Sequence, residues 1–185
     1  MVNSNHRNYI QRVKAGDFRA FSQIVSDYQQ MVFTIVVRIV NNREDAEDIC
    51  QEIFIKVFKS LDSFKEESEF STWLYRIAYN TTLSEIRKRK MVFASFDDDL
   101  STMKEEELNE NMEELATEER IFYLEQALKT LPAEDALLIT MFYLENQSIE
   151  AISRISNLSR ANVKVKLHRI RKKLAIAINQ LMAEG

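Results

Sequence analysis

Two glycines and one proline in 185 residues (Gly16, Gly185 and Pro132) exclude most of the folds open to a chain of this length. Sandwiches, barrels and doubly wound sheets turn sharply and often, and tight turns draw on Gly and Pro for backbone angles that other residues adopt only at a cost. A chain almost without them is predicted to be all-α. Its length fits one domain or two small ones. With 45% of the residues hydrophobic and 29% charged, it can bury a core and still carry a charged surface.

The formal net charge is −4. As an average, that argues against a nucleic-acid binder, which usually carries a basic balance. The average hides the distribution. Residues 1–93 carry net +2, residues 94–118 net −9 and residues 119–185 net +3. The middle segment, ASFDDDLSTMKEEELNENMEELATE, has no aromatic residue after Phe96. So few apolar groups do not offset the entropy of ordering a chain, so an acidic linker between two small helical domains is expected. The single cysteine, Cys50, excludes an internal disulfide and any multi-Cys metal site, and it reads as a small buried apolar residue. That usage fits a reducing cytoplasm. The N-terminal stretch lacks an apolar core, so no signal peptide is expected. Met31 to Val40 is the most apolar run, but Arg38 interrupts it and it is only half of the roughly 20 residues a spanning helix needs. No membrane insertion is expected.

Local signals punctuate the chain into helices. The first is predicted near 6–15 and ends at Gly16. Asp17 caps a second, with Phe18, Phe21, Val25, Tyr28, Val32, Ile35, Val36 and Ile39 at three- and four-residue steps. Asn42 caps a third near 43–61, with Asp45 as a capping-box partner. A fourth, 69–90, follows the polar loop Lys65–Ser68. In the last segment a helix at 118–130 restarts after Leu131-Pro132 as 133–144. A short helix at 148–155 and a final one at 159–182 complete the chain.

Nothing in this pattern supports catalysis. His6 and His168 have no obvious partners, no Gly-rich phosphate loop exists, and no metal-ligand spacing appears, so neither a cofactor nor a metal is expected. The strongest signal is SIEAISRISNLSRANVKVKLHRIRKKL, which reads as helix, tight turn, helix. Ile149, Ile152 and Ile155 form the inward face of the first helix. Asn157 sits where the turn wants a positive φ, which Asn tolerates better than most residues. Leu158 would plug the space between the helices, and Ser159 caps the second. At 100° per residue, Val163, Leu167, Ile170 and Leu174 form one stripe. Ala161, Val165, His168, Arg169 and Lys172 lie opposite, flanked by Asn162 and Lys164. Such a basic, partly small face can enter the major groove of DNA. A solvated amphipathic helix with ordinary surface cations is the plainer reading, but the turn chemistry and the short partner helix favour DNA.

Two further signals are weaker. EFSTWLYRIAYNTTLSEIRKRK mixes Phe70, Trp73, Tyr75 and Tyr79 with Arg76 and Asn80 and ends in Arg87-Lys88-Arg89-Lys90. Interleaved aromatic and basic groups suit single-stranded nucleic acid. Equally, the aromatics can be core, the better reading for Trp73 alone, with the cations complementing the helix dipole. On the third helix Ala46, Cys50, Ile53, Val57 and Leu61 share one face. Asp48, Gln51, Glu52, Ile55 and Lys59 share the other, with Asp45 at its edge. An apolar centre with a polar rim resembles a protein interface. A single exposed Ile is also normal on a monomer, and on physics alone that plain reading is the better one.

Taken together, these stretches resemble the bacterial sigma factors of the extracytoplasmic-function (ECF) group of the sigma-70 family. DAEDICQEIFIKVFKSLDSF is similar to the family's region 2, FSTWLYRIAYNTTLSEIRKRK to the promoter-reading helix that follows, and LEQALKTLPAEDALLITMFYLENQSIEAIS with VKVKLHRIRKKL to region 4. The chain departs from the family at Ala136, where a basic residue is frequent, and at Asn157, where the turn Gly stands. It departs again at Arg160 and in the run Ala161-Asn162-Val163. The resemblance implies a protein without enzymatic activity that binds core RNA polymerase and directs promoter recognition and melting. Asp45, Asp48, Gln51, Glu52 and Ile55 would dock on the polymerase. Ser63, Phe64, Lys65, Phe70, Tyr75, Arg76, Asn80, Arg87 and Lys88 would hold the melted −10 element. Arg160, Asn162, Lys164, Val165, His168 and Arg169 would read the −35 duplex, with Arg171 and Lys172 on its phosphates. Residues 1–93 would then be the region 2-like domain, 94–118 the acidic linker and 119–185 the region 4-like domain. The linker would thread near the RNA path, and its net charge of −9, apart from the resemblance, leads to the expectation that Asp97-Asp98-Asp99 mimic nucleic-acid charge there. An anti-sigma factor is a candidate further partner that the sequence does not name. The competing readings are a helix-turn-helix regulator that binds duplex operators alone, and a helical adaptor. The adaptor leaves the basic faces at 76–90 and 160–173 unexplained.

Overall fold

The structure, a computed structural model, describes residues 4–40, 42–90 and 117–184. The triplet Asp97-Asp98-Asp99 and nearly all of the expected linker lie outside these residues. Eight α-helices are described: α1 (Ser4–Lys14), α2 (Arg19–Val40), α3 (Arg43–Ser60), α4 (Phe70–Lys90), α5 (Thr117–Thr130), α6 (Ala133–Tyr143), α7 (Ile149–Ser156) and α8 (Arg160–Glu184). A short 3-10 turn, Leu61–Ser63, follows α3. The described chain contains no strand and is all-α.

The ends of the helices follow from local chemistry. Gly16 takes φ 96° after α1, a conformation in which a Cβ would be strained. Asp17 stands two residues before α2, not at its first turn. It is occupied by Arg12, whose Nη2 and Nε donate to Oδ2 at 2.6 and 3.0 Å. That guanidinium, with lesser help from the backbone N–H groups of Ala20 and Arg19, holds the Asp17 carboxyl below the usual range. The Asn42 carbonyl oxygen accepts from the N–H groups of Glu44 and Asp45 at 2.9 and 3.3 Å and starts α3. Pro132 stands immediately before α6 in extended backbone, so its missing N–H costs the helix nothing.

Two apolar cores organise the molecule. The first lies among α1, α2, α3 and α4 and centres on Ile24, Val32, Val36, Ile53, Val57 and Leu74, all fully buried. The second lies among α5, α6, α7 and α8, with Leu137, Met141, Ile152, Ile155, Val163 and Ile170 at its centre. α6 has every residue from Ala136 to Met141 buried, the pattern of a helix surrounded by others. The second core also takes in Ile35 of α2 and Tyr75, Tyr79 and Leu83 of α4. α4 therefore carries two apolar stripes: Phe70, Leu74 and Ala78 serve the first core, while Tyr75, Tyr79 and Leu83 pack against the C-terminal half, chiefly on α7 and α6. Burying one large apolar side chain contributes about 1.5–3 kcal/mol.

Candidate nucleic-acid interface

The α7–α8 pair is built by its turn. Ser148 accepts from the N–H of Ala151 at 3.1 Å and starts α7. Asn157 ends it in the left-handed region, φ 60°, ψ 25°. Ser153 Oγ donates to the carbonyl of Leu158 at 2.6 Å, which ties the turn back to α7, and Leu158 packs on the second core. Ser159 Oγ then accepts from the N–H of Asn162 at 3.2 Å and starts α8. Val163, Leu167, Ile170 and Leu174 face inward and are buried. Two of the helix's lysines hold it to α6: Lys166 Nζ lies 3.1 Å from Glu134 Oε1 and Lys173 Nζ 3.2 Å from Asp135 Oδ2. Arg160, Asn162, Lys164, Val165, His168, Arg169, Arg171 and Lys172 are exposed. Arg160 reaches Glu150 across the turn at 3.4 Å.

The loop before α4 frames a cavity of about 480 Å³ lined by Phe64, Glu66, Ser68 and Phe70 together with Arg7 of α1 and Arg154 of α7. Its shape is held by Lys14 Nζ, which donates to the carbonyl of Phe64 at 2.9 Å, and by an ion pair of 2.6 Å between Arg7 and Glu66. Phe64, Phe70 and Trp73 pack ring against ring with centroids 5.3–5.6 Å apart, and Tyr28 closes on Phe70 at 5.5 Å. Along α4, Arg76, Asn80, Arg87 and Lys88 are exposed. Lys88 pairs with Glu85 at 2.6 Å, and that carboxylate raises the Lys88 pKa. Tyr75 is 3% exposed, and its hydroxyl donates to Glu145 Oε2 at 2.7 Å.

On α3, Asp48, Gln51 and Ile55 are exposed, and Asp45 and Glu52 half-buried. Glu52 pairs with Lys56 at 2.7 Å, and this hydrogen bond holds its carboxyl below the usual range. Ile55 is 52% exposed. One turn further on, Phe58 packs edge-to-face on Phe21 and Phe18 with centroids 5.0 and 5.6 Å apart, and Phe18 is 66% exposed. On the same helix, burial and then Glu47 push the half-buried Cys50 thiol up to about 11.

Residues 24–91 match Sigma-70 region 2 and residues 121–174 match Sigma-70 region 4. The chain is 34% identical to the ECF RNA polymerase sigma factor SigW of Bacillus subtilis, over 93% of this chain and 96% of that one. It is 31% identical to the ECF RNA polymerase sigma-E factor of Escherichia coli, over 94% of each. This chain belongs to the ECF sigma factors. Its work is to direct RNA polymerase in the initiation of transcription, and sigma factors are not enzymes. The fold is that of CnrH, solved in complex with the cytosolic domain of CnrY, with a TM-score of 0.69, 19% identity and coverage of 95% and 98% of the two chains. It is also that of RpoE from Bartonella quintana, solved with the anti-sigma factor NepR, with a TM-score of 0.65, 20% identity and coverage of 86% and 96%. Among the described residues, no helix is long and apolar enough to cross a membrane.

In this sigma factor the residues expected to hold the −10 element divide into two sets. Ser63, Lys65, Arg76, Asn80, Arg87 and Lys88 are exposed. Phe64, Phe70 and Tyr75 are buried, although Phe64 and Phe70 also line the loop cavity. Phe64 and Phe70 are held in the aromatic cluster beneath the loop, and Tyr75 is covered by the C-terminal half. Sequence reasoning counted Phe18 among the apolar positions of the second helix and gave Phe58 no place on either face of the third. It had no signal for Glu145, whose partner Tyr75 is distant in the chain, or for Arg154, which lines a cavity with residues of the distant loop. Lys166 and Lys173 looked like any other cations of the basic helix until Glu134 and Asp135 were placed beside them.

Proposed function

We propose that residues 1–93 act as the region 2-like unit that docks on core polymerase and holds the melted −10 element. Residues 119–185 act as a helix-turn-helix unit on the −35 duplex, and residues 94–118 join the two. The observation that carries this reading is the exposed basic face of α8, aimed outward by a left-handed Asn157 and a buried Val163–Leu174 stripe. In that reading Arg160, Asn162, Lys164, Val165, His168 and Arg169 read the duplex, and Arg171 and Lys172 meet phosphates. Ser63, Lys65, Arg76, Asn80, Arg87 and Lys88 follow the single strand, and Tyr75 meets a base once it is uncovered. Asp45, Asp48, Gln51, Glu52 and Ile55 form the polymerase contact, which Phe18 and Phe58 extend as an apolar margin. The protein acts in the cytoplasm, without a cofactor, where its polymerase is.

An anti-sigma factor is a second protein partner in this reading. Two structures of the same fold were solved with such partners or with a cytosolic domain bound. A groove of about 800 Å³ supports it, with exposed Ile121, Leu124, Tyr143 and Leu144 between Arg38 and Arg171. Transcription in vitro with core polymerase across a promoter library tests the whole assignment. Transcripts should depend on this protein. Glu52→Arg should reduce holoenzyme formation while helix content is unchanged. Full core binding by that variant refutes the α3 contact, and a shift of specific duplex DNA without polymerase favours the stand-alone regulator.

A further inference from the structure

One stripe of α1 faces the loop before α4. Arg7, Ile10 and Lys14 follow one another at steps of three and four residues, which puts them on the same side of the helix. Ile10 is buried in the first core and lines the loop cavity. The two cations on either side of it reach the loop itself. Lys14 Nζ donates to the Phe64 carbonyl at 2.9 Å, and Phe64 is part of the cavity wall. Arg7 Nη2 lies 2.6 Å from Glu66 Oε2, two residues further on. Glu66 has φ 58°, in the left-handed region. A residue with a long side chain takes that conformation at a cost and keeps it where its surroundings fix it. The match to Sigma-70 region 2 begins at residue 24, so α1 lies outside it.

We propose that α1 is part of the −10 site: Arg7 and Lys14 are positioning residues that fix the loop backbone at Glu66 and Phe64 in the shape that receives an unpaired base of the melted strand. The proposal rests on the assignment of α4 and its loop to the melted −10 element. Neither cation needs to touch DNA. Phe64 and Glu66 flank Lys65, which that assignment places on the single strand and which is exposed. A loop free to leave the left-handed turn presents Lys65 and the cavity in many arrangements, and ordering it on the strand then costs part of the binding free energy. A loop already held by α1 meets the strand pre-formed. The α3 and α8 faces are built by other contacts, so the effect belongs to the melting step and to base preference within the −10 element.

Holoenzyme assembled from core polymerase and the full chain tests this, with permanganate reactivity of unpaired thymines as the measure of promoter opening. Arg7→Ala with Lys14→Met should lower the yield of open complex about tenfold and flatten the discrimination among −10 base substitutions, while −35 duplex binding stays at the parent level. Both side chains are exposed, so the helices should be kept, and circular dichroism checks that they are. Lys14→Arg, which retains a cationic donor, should recover most of what Lys14→Met loses. In a cycle of Arg7→Ala, Glu66→Ala and both together, the double change should lose no more than the larger single one. Additive losses would make Arg7 a direct DNA contact and overturn the positioning role. Unaltered opening and base preference in the Arg7→Ala, Lys14→Met variant, with opening still impaired by Lys65→Ala, overturns the proposal alone. Unaltered opening in Ser63→Ala and Lys65→Ala as well overturns the assignment of the loop, and the proposal with it.

Discussion

Tyr75 lies in the core that the two halves share. As a phenol in the shared core it is neutral: burial first, and then the Glu145 carboxylate, push its pKa well above the ordinary value of 10.0. Burial, then Glu134, do the same for Tyr79, and burial, then Asp27, push Tyr28 up to about 12. A pKa raised on folding means that the folded chain holds the proton more tightly. The stabilisation is therefore complete below the unfolded value near 10 and is lost as pH rises through the folded values. The tyrosine absorbance change on alkaline titration should remain incomplete until the helical signal collapses. A change already complete near pH 10 with the helical signal intact would contradict the burial of these three rings. Arg169 is the matching case on the open surface. Arg169→Ala should weaken holoenzyme binding to −35 duplexes by about 1–3 kcal/mol, and unequally across sequences. Equal weakening on every duplex would make Arg169 a phosphate contact instead.

Among the elements, the α7–turn–α8 pair was the most legible in the sequence. Its determinants are local: the Ser148 cap, the left-handed Asn157 and the Ser159 cap each act within a few residues. A β-branched residue in the left-handed region is strained, so Asn157→Val should cost about 1–2 kcal/mol in a thermal melt, while Asn157→Gly should stay close to the parent. A Val variant as stable as the parent would mean that the turn has another conformation. α4 was legible as a helix from Phe70 to Lys90 but not in its packing. Its mixture of aromatic and basic residues supports both a base-stacking surface and a core. The structure separates them: Tyr75, Tyr79 and Leu83 fall at four-residue steps on one covered stripe, while Arg76 and Asn80 run beside it in the open. A helix with two buried stripes has no single apolar face for periodicity to find.

At the scale of the whole molecule, the second core joins the two halves. Ile35 belongs to α2 yet lies in the C-terminal cluster. Thermal unfolding of the free protein should therefore show one cooperative transition. Ile35→Ala should lower it by about 2–5 kcal/mol at this buried site. Two well-separated transitions in calorimetry would contradict a shared core.

The sequence by itself determined the helical class, the caps at Asn42 and Ser159 and the outward basic face of α8. The scarcity of Gly and Pro, the capping side chains and the periodicity of one stripe all act over a turn or two of chain. Only the tertiary structure decided which cations are tied down by Glu134 and Asp135, that Phe18 and Phe58 form one exposed cluster, and that Tyr75 lies under the C-terminal half. These depend on which residues meet across the fold. Tyr75 and Glu145 are seventy positions apart, and no local pattern records their contact.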